Sequence, residues 1–184
     1  YSKGCDSHEI FSDLKISKDP TFEDNINRYT VIKLDINGAA TGKGDKTIVQ
    51  YYNENVVPEL MKAYPNVGLS SDMSIAKALV SIYEETGEKF VFIIDEYDLP
   101  IRDGKYASEL GEYIAFLVSL FKSEETNYTI ALAYLTGIMP IIREKVQSKL
   151  NNFTEYTMVD ADDMAPFMGF TEEEVQSLSQ KSGM

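Results

Sequence analysis

Asp95, Glu96 and Asp98 follow an unbroken apolar run, Phe90-Val91-Phe92-Ile93-Ile94. Such a run suits a β-strand covered on both faces, so Lys89–Pro100 reads as a buried strand delivering acidic side chains at its end. Apolar strand, Asp, then Glu is the Walker B arrangement, and the chemistry explains the order. An Asp at the last ordered strand position can hold Mg²⁺, usually through the ion's water shell. The Glu after it is turned the other way and can polarise a water that attacks a γ-phosphate. Asp95 is then the metal-side residue and Glu96 the catalytic carboxylate, while Asp98 has no assigned role. The competing reading is a solvated strand exit without a ligand. Carboxylates that are buried must be paired or bind metal, because unpaired burial is costly.

A second apolar run, Tyr128–Leu135, ends in Thr136-Gly137. Thr136 is thereby set beside the acidic end of the first run, where ATPases with such a strand keep a residue that senses the γ-phosphate or orients the water. Gly38–Thr47 imitates a phosphate-binding loop, which requires Gly, four residues, then Gly-Lys-Ser/Thr. Only three residues separate Gly38 from Gly42-Lys43, and Gly44 stands where the hydroxyl residue belongs. In the overlapping Gly44-Asp45-Lys46-Thr47, Asp45 would repel phosphate. The segment reads as a flexible surface loop.

The elements that must position these residues follow from periodicity. Thr30–Ile36 alternates, with Ile32, Leu34 and Ile36 on one face and Lys33 and Asp35 on the other, as in a half-exposed strand near a sheet edge. Asn37 to Lys46 reads as a Gly-rich loop. Ile48, Tyr51 and Tyr52 open a helix that Pro58 is expected to restart. Ile75, Ala78, Leu79 and Ile82 form a helical stripe after a Ser70-Ser71-Asp72 capping signal, and Gly87 ends it. Leu110, Tyr113, Ile114, Leu117, Val118 and Phe121 line another helix. Thr171 and Glu174 form a capping box, with Phe170 and Val175 placed as a hydrophobic staple. Strand, helix, buried strand, helix, buried strand gives βαβ units and a mostly parallel sheet, whose ligands bind beyond the carboxyl ends of the strands.

Composition narrows the function classes. With 17 Lys and Arg against 30 Asp and Glu, the net charge is −13, which disfavours direct nucleic-acid binding. One cysteine, Cys5, and one histidine, His8, allow no internal disulfide, no His-rich metal site and no triad that does not borrow His8. A single cysteine agrees with a reducing cytoplasm, and no apolar run is long enough to span a bilayer.

With Ile93-Ile94-Asp95-Glu96-Tyr97-Asp98-Leu99-Pro100-Ile101 in view, the chain resembles the bacterial AAA-ATPase-like family of P-loop NTPases. Further matching segments are Tyr1–Asp6 with Phe11–Ile16, Leu135–Ile138, Lys149–Phe153 and Gly169–Val175, in the family's order. The resemblance implies a three-layer α/β sandwich, Mg²⁺ and ATP as ligands of the intact protein, and often a PD-(D/E)XK nuclease-like domain to follow. It also implies that Asp95 is the magnesium-side residue, Glu96 the catalytic carboxylate and Thr136 the sensor. Arg143, after the sensor strand, is a candidate phosphate contact, and Asn151-Asn152 match a motif without a known role. The family's Walker A loop is expected to lie before Tyr1. That expectation makes this chain one truncated core lacking the first strand and phosphate loop, inactive alone and binding no nucleotide. Its parts are a lead-in at 1–29, a sheet core at 30–158 and the start of a helical region at 159–184. An open sheet edge would then favour a homodimer or domain swap. The alternative is a non-enzymatic module whose acidic face docks a protein partner. A metal-dependent nuclease ranks last, since three acids within four residues cannot all face one ion.

Overall fold

The lead-in has few apolar anchors, and it folds into single turns rather than a full helix: His8–Phe11 (α1) and Phe22–Asn25 (α2), with a 3₁₀ turn at Lys15–Lys18 between them. Phe11 and Phe22 meet edge-on at 6.0 Å. The computed structural model describes residues 2–139, 150–157, 159–160, 162–167 and 169–183.

Thr30–Asp35 (β1) keeps the alternation its sequence dictates, with Ile32 and Leu34 buried and Lys33 and Asp35 exposed. The segment after it is not the expected loop. Ile36–Gly42 (α3) is helical because the Asp35 side chain accepts from the Gly38 N–H and caps it, which offsets the poor helix propensity of its Asn and Gly residues. Ile48–Ala63 (α4) then runs unbroken through Pro58. Proline costs that helix one backbone hydrogen bond, yet Val57 and Leu60 on either side are 0% and 5% exposed, and their burial holds the helix together. Its start is fixed by a Thr47–Gln50 capping box. Ile75–Thr86 (α5) is capped by Ser74, whose side chain accepts from the Lys77 N–H, rather than by the Ser70–Asp72 cluster. Gly87 closes it in the left-handed conformation, which only glycine adopts at no steric cost.

Phe90–Asp95 (β2) is the central strand. It ends at Asp95, and a helical turn, Leu99–Arg102 (α6), begins before Pro100. Leu110–Phe121 (α7) leads to Ile130–Leu135 (β3). The strand order is β1-β2-β3, all parallel, with Asp35 opposite Asp95 and Ile94 opposite Leu135. Because strand order follows chain order, right-handed crossovers put α4, α5 and α7 on one face. Phe90, Phe92 and Ile94 are fully buried beneath them, with Phe92 edge-on to Phe121 at 5.4 Å.

On the other face the lead-in lies against the sheet. A groove of about 370 Å³, lined by Phe11, Ile16, Phe22, Tyr29, Val91 and Leu132, lies between them. Here the sequence expectation needs correcting. The apolar run of β3 is not covered on both sides, since Leu132 is 49% and Tyr134 46% exposed.

The molecule is thus an α/β fold with an open three-stranded parallel sheet and eight α-helices among the described residues. None of those helices is long and apolar enough to cross a membrane. Residues 1–152 and 153–184 form two compact units. The second contains Glu172–Ser182 (α8), capped as expected by the reciprocal Thr171–Glu174 box. Phe170 and Val175 remain 73% and 52% exposed.

Candidate functional site at the carboxyl end of the sheet

Parallel strands bring their carboxyl ends to one rim, and there β2 and β3 are stitched together. The Thr136 N–H donates to the Ile94 carbonyl at 2.9 Å, and the Tyr97 N–H donates to the Thr136 carbonyl at 3.0 Å. These bonds carry the ladder two residues past the strands. They place the Thr136 hydroxyl 2.5 Å from Asp95 Oδ1, to which it donates. The Glu96 N–H donates to the same oxygen at 3.1 Å. Asp95 Oδ2 accepts no hydrogen bond among the described residues, and the side chain is exposed at the rim.

Glu96 departs from the strand path. Its φ of 53° is in the left-handed region, which is disfavoured for a residue with a long side chain. That turn sends its carboxylate to Arg102, whose Nη2 donates to Oε2 at 2.8 Å. Arg102 was not singled out in the sequence. The signal available for it is the four-residue spacing from Asp98, which places an acid and a base on one side of a helical turn.

Asp98 proves to be a buried residue, 1% exposed. Its Oδ2 accepts from the Ile138 N–H at 3.2 Å and the Met139 N–H at 2.9 Å. The Tyr97 hydroxyl donates to the Met139 carbonyl at 2.8 Å, and the buried Tyr113 hydroxyl donates to the Tyr97 carbonyl at 2.8 Å. Burial pushes the Tyr113 phenol well above the ordinary range, so it remains a donor. Tyr97 and Asp98 therefore pin the loop after β3. Gly137 is required in that loop, because a Cβ there would lie 2.7 Å from Asp98 Oδ1 and 2.8 Å from the Tyr97 ring.

The donor set can be tested against a cation. Among the described residues no group of three or more His, Cys, Asp or Glu side chains gathers to hold an ion, and Asp98 faces the loop. What is presented is one exposed carboxylate with a free oxygen beside a hydroxyl. That set suits Mg²⁺, which keeps most of its water and takes one or two protein carboxylates. It does not suit a metal held by protein alone.

The other candidates among the described residues are engaged in contacts of their own. Lys43 of the glycine-rich segment pairs with Glu109 at 3.2 Å and donates to the Lys46 carbonyl at 2.6 Å, so its ammonium is used internally. Asn152 donates to the Phe121 carbonyl at 2.8 Å, and Asn151 accepts from Lys122 at 2.9 Å. That pair anchors its segment to the end of α7. Arg143 lies outside the described residues. His8 sits between Asp6 and Glu23, at 2.7 and 3.2 Å. Hydrogen bonds that its ring donates to the two carboxylates raise its pKa, which favours the imidazolium.

Residues 1–147 match the AAA-ATPase-like family model, described as a predicted AAA-ATPase. The chain belongs to that family. Comparisons with curated proteins and with solved structures gave no match.

Proposed function

We propose that this member of the AAA-ATPase-like family carries the acidic and sensor strands of an ATP-hydrolysing site whose phosphate-cradling loop lies outside these 184 residues. The observation that supports it is the 2.5 Å contact from Thr136 to Asp95, which couples the ends of two parallel strands at the rim where such sheets bind ligands. Mg²⁺ on the nucleotide would neutralise charge building up on the β- and γ-oxygens. Asp95 offers Oδ2 to the ion or its water, while Thr136 fixes the carboxylate through Oδ1. Thr136 also stands where it can report on the γ-phosphate. Glu96 is the carboxylate that accepts a hydrogen bond from the attacking water. Among the described residues β3 is an edge strand, with Leu132 and Tyr134 exposed, where a further strand could deliver the missing loop. Cys5 is exposed and free, which suits a reducing, cytoplasmic setting.

Calorimetric titration of Mg-ATP into the full-length natural protein and into residues 1–184 tests this reading. The longer protein binds, the shorter does not, and Asp95→Ala removes binding. Glu96→Gln keeps binding and slows hydrolysis by about 10²–10⁴. Equal binding to residues 1–184 would make Gly38–Thr47 a phosphate site after all. No binding to either would leave a protein-interaction module as the better account.

A further inference from the structure

Two buried side-chain polar atoms lack a hydrogen-bond partner among the described residues: Asp98 Oδ1 and Arg102 Nε. Both belong to one ion pair. Arg102 Nε stands 3.7 Å from Asp98 Oδ2, too far for a hydrogen bond, and that oxygen is already occupied by the Ile138 and Met139 N–H groups. A guanidinium is a rigid fork able to engage a carboxylate through two donors at once. Here the fork gives one donor, Nη2, to Glu96 and closes on neither carboxylate. The carboxylate it engages is the more exposed one, with side-chain accessibility of 38% against 2% for Asp98. Leaving buried charged groups with unmade bonds is unfavourable. One cation is therefore shared between two acids, with an unused, better-buried position within about 1 Å of where it stands.

We propose that Arg102 is a two-position clamp that positions Glu96. In the arrangement seen it holds the Glu96 carboxylate aside. In the other its fork closes on Asp98 and Glu96 is released to face the attacking water. This rests on the reading of Glu96 as the water-polarising carboxylate. The coupling to ligand is built into the backbone, since the Glu96 N–H is tied to Asp95 Oδ1 at 3.1 Å. A ligand drawn to Asp95 pulls on the residue whose left-handed conformation the Arg102 pair maintains. Asp98 binds the loop after β3 through the same carboxylate that receives Arg102, so clamp and sensor loop move together.

The first test needs no nucleotide. Asn tolerates positive φ and is too short to reach Arg102, so Glu96→Asn empties one clamp position without straining the turn. In the crystal structure of that variant of the full-length protein, Arg102 Nε moves to hydrogen-bonding distance of Asp98. An Arg102 that turns to solvent, or stays where it is, overturns the clamp. The second test is kinetic. Arg102→Lys keeps a cation beside Asp98 but loses the planar fork and the reach of Nη2 to Glu96, so kcat rises by about two- to tenfold with KM unchanged. A fall in kcat with a rise in KM would instead make Arg102 a phosphate ligand and sink the proposal. If the wild-type protein binds no Mg-ATP, the ATPase reading fails by itself, and the Glu96→Asn structure alone decides the clamp.

Discussion

At the amino end of the sheet, Glu88 accepts from Lys3 at 2.5 Å, from Tyr64 at 2.6 Å and from Thr30 at 3.3 Å, and the Thr30 and Tyr64 hydroxyls bond each other at 2.8 Å. Burial and the neighbouring Glu88 push the Tyr64 phenol up to about 12, so it stays protonated and donating. At the carboxyl end of the same strands, one carboxylate keeps a free oxygen, a glutamate sits in left-handed backbone, and two buried atoms go without partners. Each end is organised around a carboxylate. The difference is that the first is satisfied internally, whereas the second keeps bonding capacity in reserve. A purely structural rim gains nothing from that reserve, since unmade bonds cost stability. A rim that binds something regains it with the ligand.

Removing the pin that both clamp and loop depend on breaks the comparison most severely. Asp98→Ala strips the acceptor from the Ile138 and Met139 N–H groups and the buried carboxylate from Arg102. A loss of about 2–4 kcal/mol is expected, read as a lower midpoint in urea. A loss below about 0.5 kcal/mol would mean that Asp98 holds nothing. Gly137→Ala comes next. Its added methyl meets the Asp98 carboxylate and the Tyr97 ring at under 3 Å, and overpacking of this kind costs about 1–3 kcal/mol. The same substitution at Gly111, whose Cβ would meet nothing, should stabilise slightly, because alanine is the better helix former.

Much of this architecture is legible in the residues because periodicity reports burial directly. Ile32 and Leu34 against Lys33 and Asp35 state which side of β1 is covered, and the five-residue run of β2 states that both sides are. The same logic overreached at β3. An apolar run says a strand can be buried on both faces but not that anything is there to cover it. Local signals failed where a tertiary event decides. Ile36–Gly42 becomes helical only once Asp35, at the end of β1, turns back to cap it. At the rim, the adjacency of Asp95 and Thr136 is legible from the strand ends alone, since parallel strands must deliver their exits to one rim. Arg102 and the role of Asp98 were not, because they depend on the positive φ of Glu96, a turn that no residue type there announces.

The smallest effect sharpens the comparison through pH. Partial burial alone would raise the Glu88 carboxyl, but the hydrogen bonds from Lys3 and Tyr64 outweigh it and hold its pKa below the ordinary 4.5. A carboxyl depressed in the folded state binds protons more readily when unfolded. Its stabilising contribution is therefore present above about pH 4.5 and is lost as pH falls through the lower folded value. Glu88→Gln keeps an acceptor for Tyr64 and removes the charge. The variant should be less stable at pH 7 by under about 1 kcal/mol, because Lys3 is nearly half exposed and the pair is screened. Denaturant midpoints of the two proteins should converge as the pH falls below about 4.5. A gap that stays constant over that range would mean the amino end is held by neutral hydrogen bonds and shape, and its contrast with the carboxyl end would then lie in bond count rather than charge.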